Sequence, residues 1–336
     1  MIIDYIEGST LRELGFRHDQ YDLWNHPTGR LTNAMSRVYE QLADVFIQLR
    51  HQEFPRIGAL GITKTPQPSI QVCHRPLSAE IILQTDEGHN PTILFEQGKT
   101  FQTSSEYINA LLWLADNELQ KSKNPWIGVR NGPSILYASH GFSKFVREKW
   151  LDPKLETGPF VLIHGDFSID NLLWDSKFNL LAVLDWEWSC VVPLQLLVPP
   201  AWLVGSDVTT LSHGQQLYNT EVRHLRAAIQ RREEVLGLGP PLLSPTWAQM
   251  EDWCHTLIVS ALLRPEFVYD VYWSYLSEQI IGLKRFSPRD AQRYCQRVDE
   301  EIAAFMDDQA VIFLDKKKQE QEEYQTEEKL YFGLDS

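Results

Sequence analysis

Apolar residues recur at helical spacing across residues 32–50, where Met35, Val38, Leu42, Val45, Phe46 and Leu49 fall on one stripe. That is the pattern of a helix facing a core. The period then shortens. Residues 57–62 and 70–73 are apolar runs of strand length, and the polar segment 64–69 between them predicts a small hairpin. Residues 86–91, rich in Gly, Asn and Pro, read as a loop. Thr103-Ser104-Ser105-Glu106 has the spacing of a capping box, which satisfies the free amides at a helix start. That helix runs on through Leu111, Leu112 and Leu119. Residues 121–133 hold two prolines and two glycines and read as a loop. A second helix, 134–150, then leads through 154–159 toward a strand.

The segment that follows carries the candidate chemistry. Phe160-Val161-Leu162-Ile163 is an apolar strand. It opens into His164-Gly165-Asp166-Phe167-Ser168-Ile169-Asp170-Asn171. A further apolar run, 180–184, ends on Asp185, followed by Trp186 and Glu187, and residues 175–179 supply a turn between the two runs. Phosphoryl transfer asks little covalent work of a protein: a base near the attacking hydroxyl and oxygen ligands for magnesium. Asp166 is placed to accept the hydroxyl proton. Asn171, five residues on, can turn its amide oxygen to a metal, and Asp185 approaches from the end of the neighbouring strand. Such a sparse set of hard oxygen ligands suits magnesium. His164 fits a loop brace better than a titrating group. Taken alone, residues 164–171 serve equally well as an ordinary turn, because His, Asp and Asn side chains bond nearby backbone.

Beyond Asp185 the pattern turns helical. Residues 191–204 are strongly apolar but hold three prolines, and read as a buried loop and helix start, too short to span a bilayer. Residues 211–236 form a long charged helix. Its Arg223, Arg226, Arg231 and Arg232 are interspersed with Glu221, Glu233 and Glu234, which predicts a solvated face rather than a phosphate site. Residues 247–263 and 266–286 carry many aromatics, read as core packing. Ser287-Pro288 starts a last helix with proline at an early position. The tail 316–329 is almost wholly polar, either a helix extension or disordered.

Composition narrows the classes. With 336 residues, 43% of them hydrophobic, the chain can bury a full core. A net charge of −14 and a pI near 5.2 argue against nucleic-acid binding through a basic face, and no basic run suggests attachment to an anionic membrane. Cys73, Cys190, Cys254 and Cys295 lie far apart without a CxxC pair, as expected of reduced thiols in a cytoplasmic protein. The start, Met1-Ile2-Ile3-Asp4, lacks the basic and apolar regions of a signal peptide. A metal-dependent hydrolase would want further converging ligands. His51, His74, His89, His140, His213, His224 and His255 show no pair at ligand-like spacing.

The His-Gly-Asp, the Asn five residues after Asp166, and the later Leu184-Asp185-Trp186-Glu187 together resemble the catalytic segment of the aminoglycoside phosphotransferase and choline kinase-like family, relatives of the protein kinases. The loop's middle departs, with Phe167-Ser168-Ile169-Asp170 where members often have Leu-His-Pro-Gly. Asp4-Tyr5-Ile6-Glu7-Gly8 is similar to the family's interlobe hinge. Phe54-Pro55-Arg56-Ile57-Gly58, Arg75-Pro76-Leu77, Gly158-Pro159-Phe160 and Pro199-Pro200-Ala201-Trp202-Leu203 look like the branch found in filamentous fungi.

The resemblance implies an α+β fold: a protein kinase-like large (C-terminal) lobe, mostly helical, with a small sheet at the catalytic loop. It implies residues 1–12 as a hinge remnant, 13–310 as the lobe and 311–336 as a charged tail. It implies Asp166 as catalytic base, supported by His164; Asn171 and Asp185 as magnesium ligands; and the hinge backbone at Asp4, Tyr5 and Ile6 as the adenine contact of ATP. Glu187 is a candidate for binding a small-molecule hydroxyl acceptor. A smaller lobe carrying a phosphate-covering loop and a lysine would be expected before residue 4. No GxGxxG or Walker-type glycine loop is present in the sequence. The expected activity is therefore ATP-dependent phosphotransfer to an alcohol. The competing reading is a truncated or catalytically inactive nucleotide- or metabolite-binding relative.

Overall fold

The computed structural model describes residues 5–15, 33–63, 67–123, 132–204, 211–249 and 253–333. The chain divides into two compact units, one of Met1–Ala79, Thr92–Tyr107 and Asp152–Ser260, the other of Glu80–Pro91, Ile108–Leu151 and Ala261–Ser336. The secondary structure is mostly helical with short antiparallel sheets, in keeping with an α+β class.

The first unit is built on helix α1 (Asn33–Arg50). The anticipated stripe is its buried face: Met35, Val38, Leu42, Phe46 and Leu49 are buried, joined by Tyr39, Ala43 and Ile47, while Val45 is half-buried. Burying one such side chain stabilises by about 1.5–3 kcal/mol before the entropy of ordering it. Three strands, β1 (Glu53–Phe54), β4 (Phe160–Ile163) and β7 (Cys190–Pro193), form an antiparallel sheet in the order β1-β4-β7. Strands β2 (Ala59–Ile62) and β3 (Ile70–His74) form the hairpin anticipated from the pattern, with residues 64–66 of its turn outside the described residues. Strands β5 (Leu172–Trp174) and β6 (Leu180–Val183) form a second hairpin. Its turn is closed by Asp175, whose carboxylate accepts from the Asn179 side chain and backbone and from Lys177 N–H; these bonds hold it below the usual carboxylate range.

Strand β7 corrects the sequence reading of residues 191–204. Its four residues are all buried and pair with β4 from Phe160↔Pro193 to Ile163↔Cys190. Proline is tolerated because β7 is an edge strand of this sheet. Gly58 extends the sheet: it exchanges both backbone bonds with Val191 at φ +153°, where a Cβ would lie 2.4 Å from the His74 carbonyl oxygen.

Helix α5 (Leu211–Leu236) packs along α1. Two of its acids were wrongly read as solvated. Glu221 is buried and accepts from Tyr39 Oη, and burial holds its carboxyl above the usual range. Glu233 is buried because it caps α6 (Leu243–Gln249), accepting from Leu242 N (2.8 Å), Leu243 N (2.7 Å) and Ser244 N (3.3 Å). Arg232 grips Asp44 of α1 with two bonds of 2.7 and 2.8 Å. Asp44→Ala is expected to lower stability by on the order of 1 kcal/mol, because the pair is bidentate but partly solvated. Urea unfolding with Arg232→Ala and the double variant checks this: additive losses in the cycle would mean the two residues do not interact. The expected helix 247–263 is instead α6 and α7 (Trp253–Leu263), with residues 250–252 outside the described residues.

In the second unit lies most of α3 (Ser104–Lys121). The capping box at its start, on the first unit's side, is half made. Glu106 N donates to Thr103 Oγ1 (3.1 Å), but the Glu106 carboxylate accepts from Gln102 N (3.0 Å), not from Thr103 N. Helix α2 (Ala79–Asp86) went unread in the sequence. Helix α4 (Gly132–Phe145) runs into a π turn, Val146–Trp150. The anticipated helix 266–286 is α8 (Val268–Val271), a π turn (Tyr272–Leu276) and α9 (Ser277–Ile281). It ends early at Gly282, whose left-handed φ of 76° stops the helix. Its aromatics pack as expected, with Tyr137 against Tyr272, Trp273 and Phe305. Helices α10 (Pro288–Phe305) and α11 (Asp308–Phe332) close the chain. The polar tail is helical, and Lys317 within it is buried, donating to the Ser122 carbonyl (3.0 Å) and Glu320 (2.7 Å). No helix among the described residues is long and apolar enough to cross a membrane.

Candidate functional site

Strand β4 ends at Ile163, and the chain turns sharply at His164 and Gly165. Gly165 has φ +83°, and a Cβ there would lie 2.1 Å from the Trp188 carbonyl oxygen. Only glycine fits such a position without displacement. His164 is 2% exposed. Its Nε2 lies 2.6 Å from the Leu184 carbonyl oxygen, which can only accept, so Nε2 carries the proton. In the neutral ring Nδ1 is then the acceptor for Asp166 N–H at 3.3 Å. The ring packs against Trp186 and Phe167, with centroids 4.7 and 5.7 Å away. With both nitrogens committed, His164 is a brace.

A 3-10 turn, Ile169–Asn171, brings Asn171 back under Asp166. Asn171 Nδ2 donates to the Asp166 carbonyl oxygen (2.9 Å) and to Asp166 Oδ2 (3.0 Å). Both partners are acceptors, so the amide nitrogen must face them and the amide oxygen turns away. The Asn171 carbonyl accepts Leu184 N–H at 2.8 Å. Leu184 is thereby clasped on both sides, its N–H by Asn171 and its C=O by His164. The next residue, Asp185, is fixed relative to the loop through that clasp. It sits at φ 58°, ψ 50°, the left-handed region. A non-glycine residue held there stores strain that the surroundings must over-determine, a feature that gathers at functional sites. The side chains of Asp166 and Asp185 are exposed.

The loop is anchored from behind. Trp202 Nε1 donates to the Phe167 carbonyl (2.6 Å), and the Phe167 ring meets Phe46 and Trp202 at 5.0 and 6.3 Å. Trp247, fully buried, packs edge-on against Phe46. Core packing of α1 is thus linked directly to the loop. Cys190, opposite Ile163, offers no nucleophile, because burial pushes its thiol up to about 12.

The other anticipated positions are not drawn into this network. Asp4 lies outside the described residues. Tyr5 is 90% exposed and Ile6 is 42% exposed. Among the described residues neither they nor the exposed Glu187 hydrogen-bond to the loop. The N-terminal segment does reach the β5–β6 hairpin and the loop before it: Ser9 exchanges backbone bonds of 2.9 and 2.8 Å with Trp174, and Arg12 meets Asp170 at 3.3 Å. Sequence reasoning missed Leu184 as the clasp, Trp186 as the cover of His164, and Arg12. Main-chain bonding has no residue signature, and Arg12 stands 158 positions from its partner.

A model of the phosphotransferase enzyme family matches residues 103–195, from the start of α3 through the loop, Asp185 and strand β7. No curated protein and no solved structure matches the chain. The matched segment covers less than a third of the chain, contains the loop, Leu184 and Asp185, and suggests phosphotransferase chemistry.

Proposed function

We propose that this chain transfers the γ-phosphate of ATP to a hydroxyl of a small molecule. The observation that carries the reading is the hydrogen-bonded pair of Asp166 and Asn171 joined through Leu184 to Asp185, inside the segment that matches the phosphotransferase family. Asp166 orients the acceptor hydroxyl and takes its proton. Asn171 holds one Asp166 carboxylate oxygen and leaves the other for the hydroxyl. As the new P–O bond forms, the bond from the γ-phosphorus to the bridging oxygen breaks and ADP leaves. His164 keeps the loop in register and does not exchange a proton with substrate.

The amide oxygen of Asn171 and the carboxylate of Asp185 are the residues that would hold magnesium. The donor set is all oxygen and sparse, as that ion prefers, and the Asn171 amide is already turned so that its oxygen is available. When bound, the ion neutralises charge on the phosphates of the nucleotide. The Asp4–Ile6 backbone is the proposed adenine contact. Exposed carboxylates at Asp166, Asp185 and Glu187 favour a cationic or neutral alcohol over an anionic one. A screen in which only anionic alcohols react would overturn that last point.

The test is phosphate transfer from labelled ATP across a panel of amino alcohols, sugars and aminoglycosides, with and without magnesium. Asp185→Ala is expected to lower turnover by roughly 100-fold or more and to raise the magnesium concentration needed for half-maximal rate. Activity that survives both chelation and Asp185→Ala sinks the metal assignment. Binding of Mg-ATP with no ATP consumed for any acceptor sinks the enzymatic reading.

A further inference from the structure

Three metal-ligating side chains converge in the second unit, on elements that the proposed chemistry does not use. Glu87 and His89 lie in the turn after α2, and Glu118 lies on α3. His89 Nδ1 is 3.2 Å from Glu118 Oε2 and 3.5 Å from Glu87 Oε2. All three ligand atoms fall within 4.8 Å of one another. Ligands on a tetrahedral zinc, at bond lengths of about 2.1 Å, stand roughly 3.4 Å apart. The two histidine separations already match that edge.

The histidine is held in place from the backbone. His89 is 8% exposed. Its N–H donates to the Gln84 carbonyl (2.7 Å), and its carbonyl accepts from Asn117 Nδ2 (3.1 Å) and Lys121 Nζ (3.0 Å). Asn117 Nδ2 also donates to Gln84 Oε1 (2.7 Å), and both amides are buried. This amide layer fixes the main chain at His89, and Nδ1, the ligand atom, faces Glu118. Such support behind a ligand is what a metal site requires.

We propose that Glu87, His89 and Glu118 form a binding site for a zinc-class divalent ion, with the remaining coordination left to water. An imidazole among carboxylates selects zinc-like ions, whereas the oxygen-only set at Asn171 and Asp185 selects magnesium. On binding, His89 Nδ1 gives up its proton to solvent and presents its lone pair to the ion. The ion ties the α2 turn to α3. The site is independent of the phosphotransfer reading.

The experiment is calorimetric titration of the chelator-treated full chain with zinc chloride and, separately, magnesium chloride. One equivalent of zinc is expected to bind with a dissociation constant of about 1 µM or tighter, and magnesium is not expected to bind at this site. His89→Ala and the near-isosteric Glu118→Gln should each weaken zinc by on the order of 100-fold, while Asp185→Ala leaves it unchanged. Zinc should also raise the melting temperature of the wild type and not of the two site variants. If His89→Ala does not fold, Glu118→Gln decides. No zinc binding at ~100 µM, or binding undiminished in Glu118→Gln, overturns the proposal; the first result would mean that His89 simply hydrogen-bonds to its carboxylate neighbours.

Discussion

Asp166→Ala is expected to lower the turnover number for phosphotransfer by about 1,000-fold while leaving the melting temperature within about two degrees of the wild type. The two halves of that expectation come from the same geometry. The Asp166 side chain is exposed and makes one hydrogen bond, to Asn171 Nδ2. When the carboxylate is removed, Nδ2 keeps its second acceptor, the Asp166 carbonyl oxygen at 2.9 Å, so no buried donor is orphaned. The main chain at residue 166 stays tied to His164 Nδ1 and to Ser168 N–H. The loop therefore keeps its shape, and the loss falls on chemistry. A base contributes in the transition state, when the hydroxyl proton moves, so the Michaelis constant for ATP should change little. Steady-state kinetics with a calorimetric melt decide it. Turnover within tenfold of the wild type would remove Asp166 from the role of base.

Much of this site was legible because the residues proposed for the chemistry also obey local rules. His164 to Asn171 sits between two apolar runs of strand length, and Asp185 ends the second. The hairpin β5–β6, the turn at Asp175–Asn179 and the α1 stripe follow from period and turn chemistry alone. What stayed hidden depends on partners remote in sequence. Strand β7 was obscured by Pro193, because proline argues against a strand unless it lies at a sheet edge, and only the pairing with β4 shows that β7 is such an edge. Glu221 and Glu233 look solvated among arginines. They are buried because Tyr39 and the amides of α6 supply partners that no window on α5 contains. The Glu87–His89–Glu118 cluster escaped a search for paired histidines because it holds one histidine, and its third ligand, Glu118, comes from a helix remote in sequence.

Gly165→Ala is expected to cost roughly 2–4 kcal/mol of stability and to reduce activity by at least ~100-fold, although it removes no chemical group. The added methyl carbon would stand 2.1 Å from the Trp188 carbonyl oxygen and 2.9 Å from the Trp188 Cβ. The obstructing atoms are the main chain and Cβ of Trp188, which have no flexible end to yield. The φ of +83° adds its own penalty for an L residue. Relief requires the His164–Asp166 turn to move away from the 186–188 turn. That motion strains the bonds from His164 and Asn171 to Leu184, the clasp that sets Asp185 relative to Asp166. Positioning of two catalytic groups would fail together, so kcat should fall without a shift in the pH profile. Gly98→Ala is the control, since a Cβ there meets nothing within 4 Å. It should leave both urea unfolding and turnover unchanged. If Gly165→Ala unfolds at the wild-type urea concentration and turns over normally, the Leu184 clasp is not what orders the site, and Asp185 must be held by other contacts.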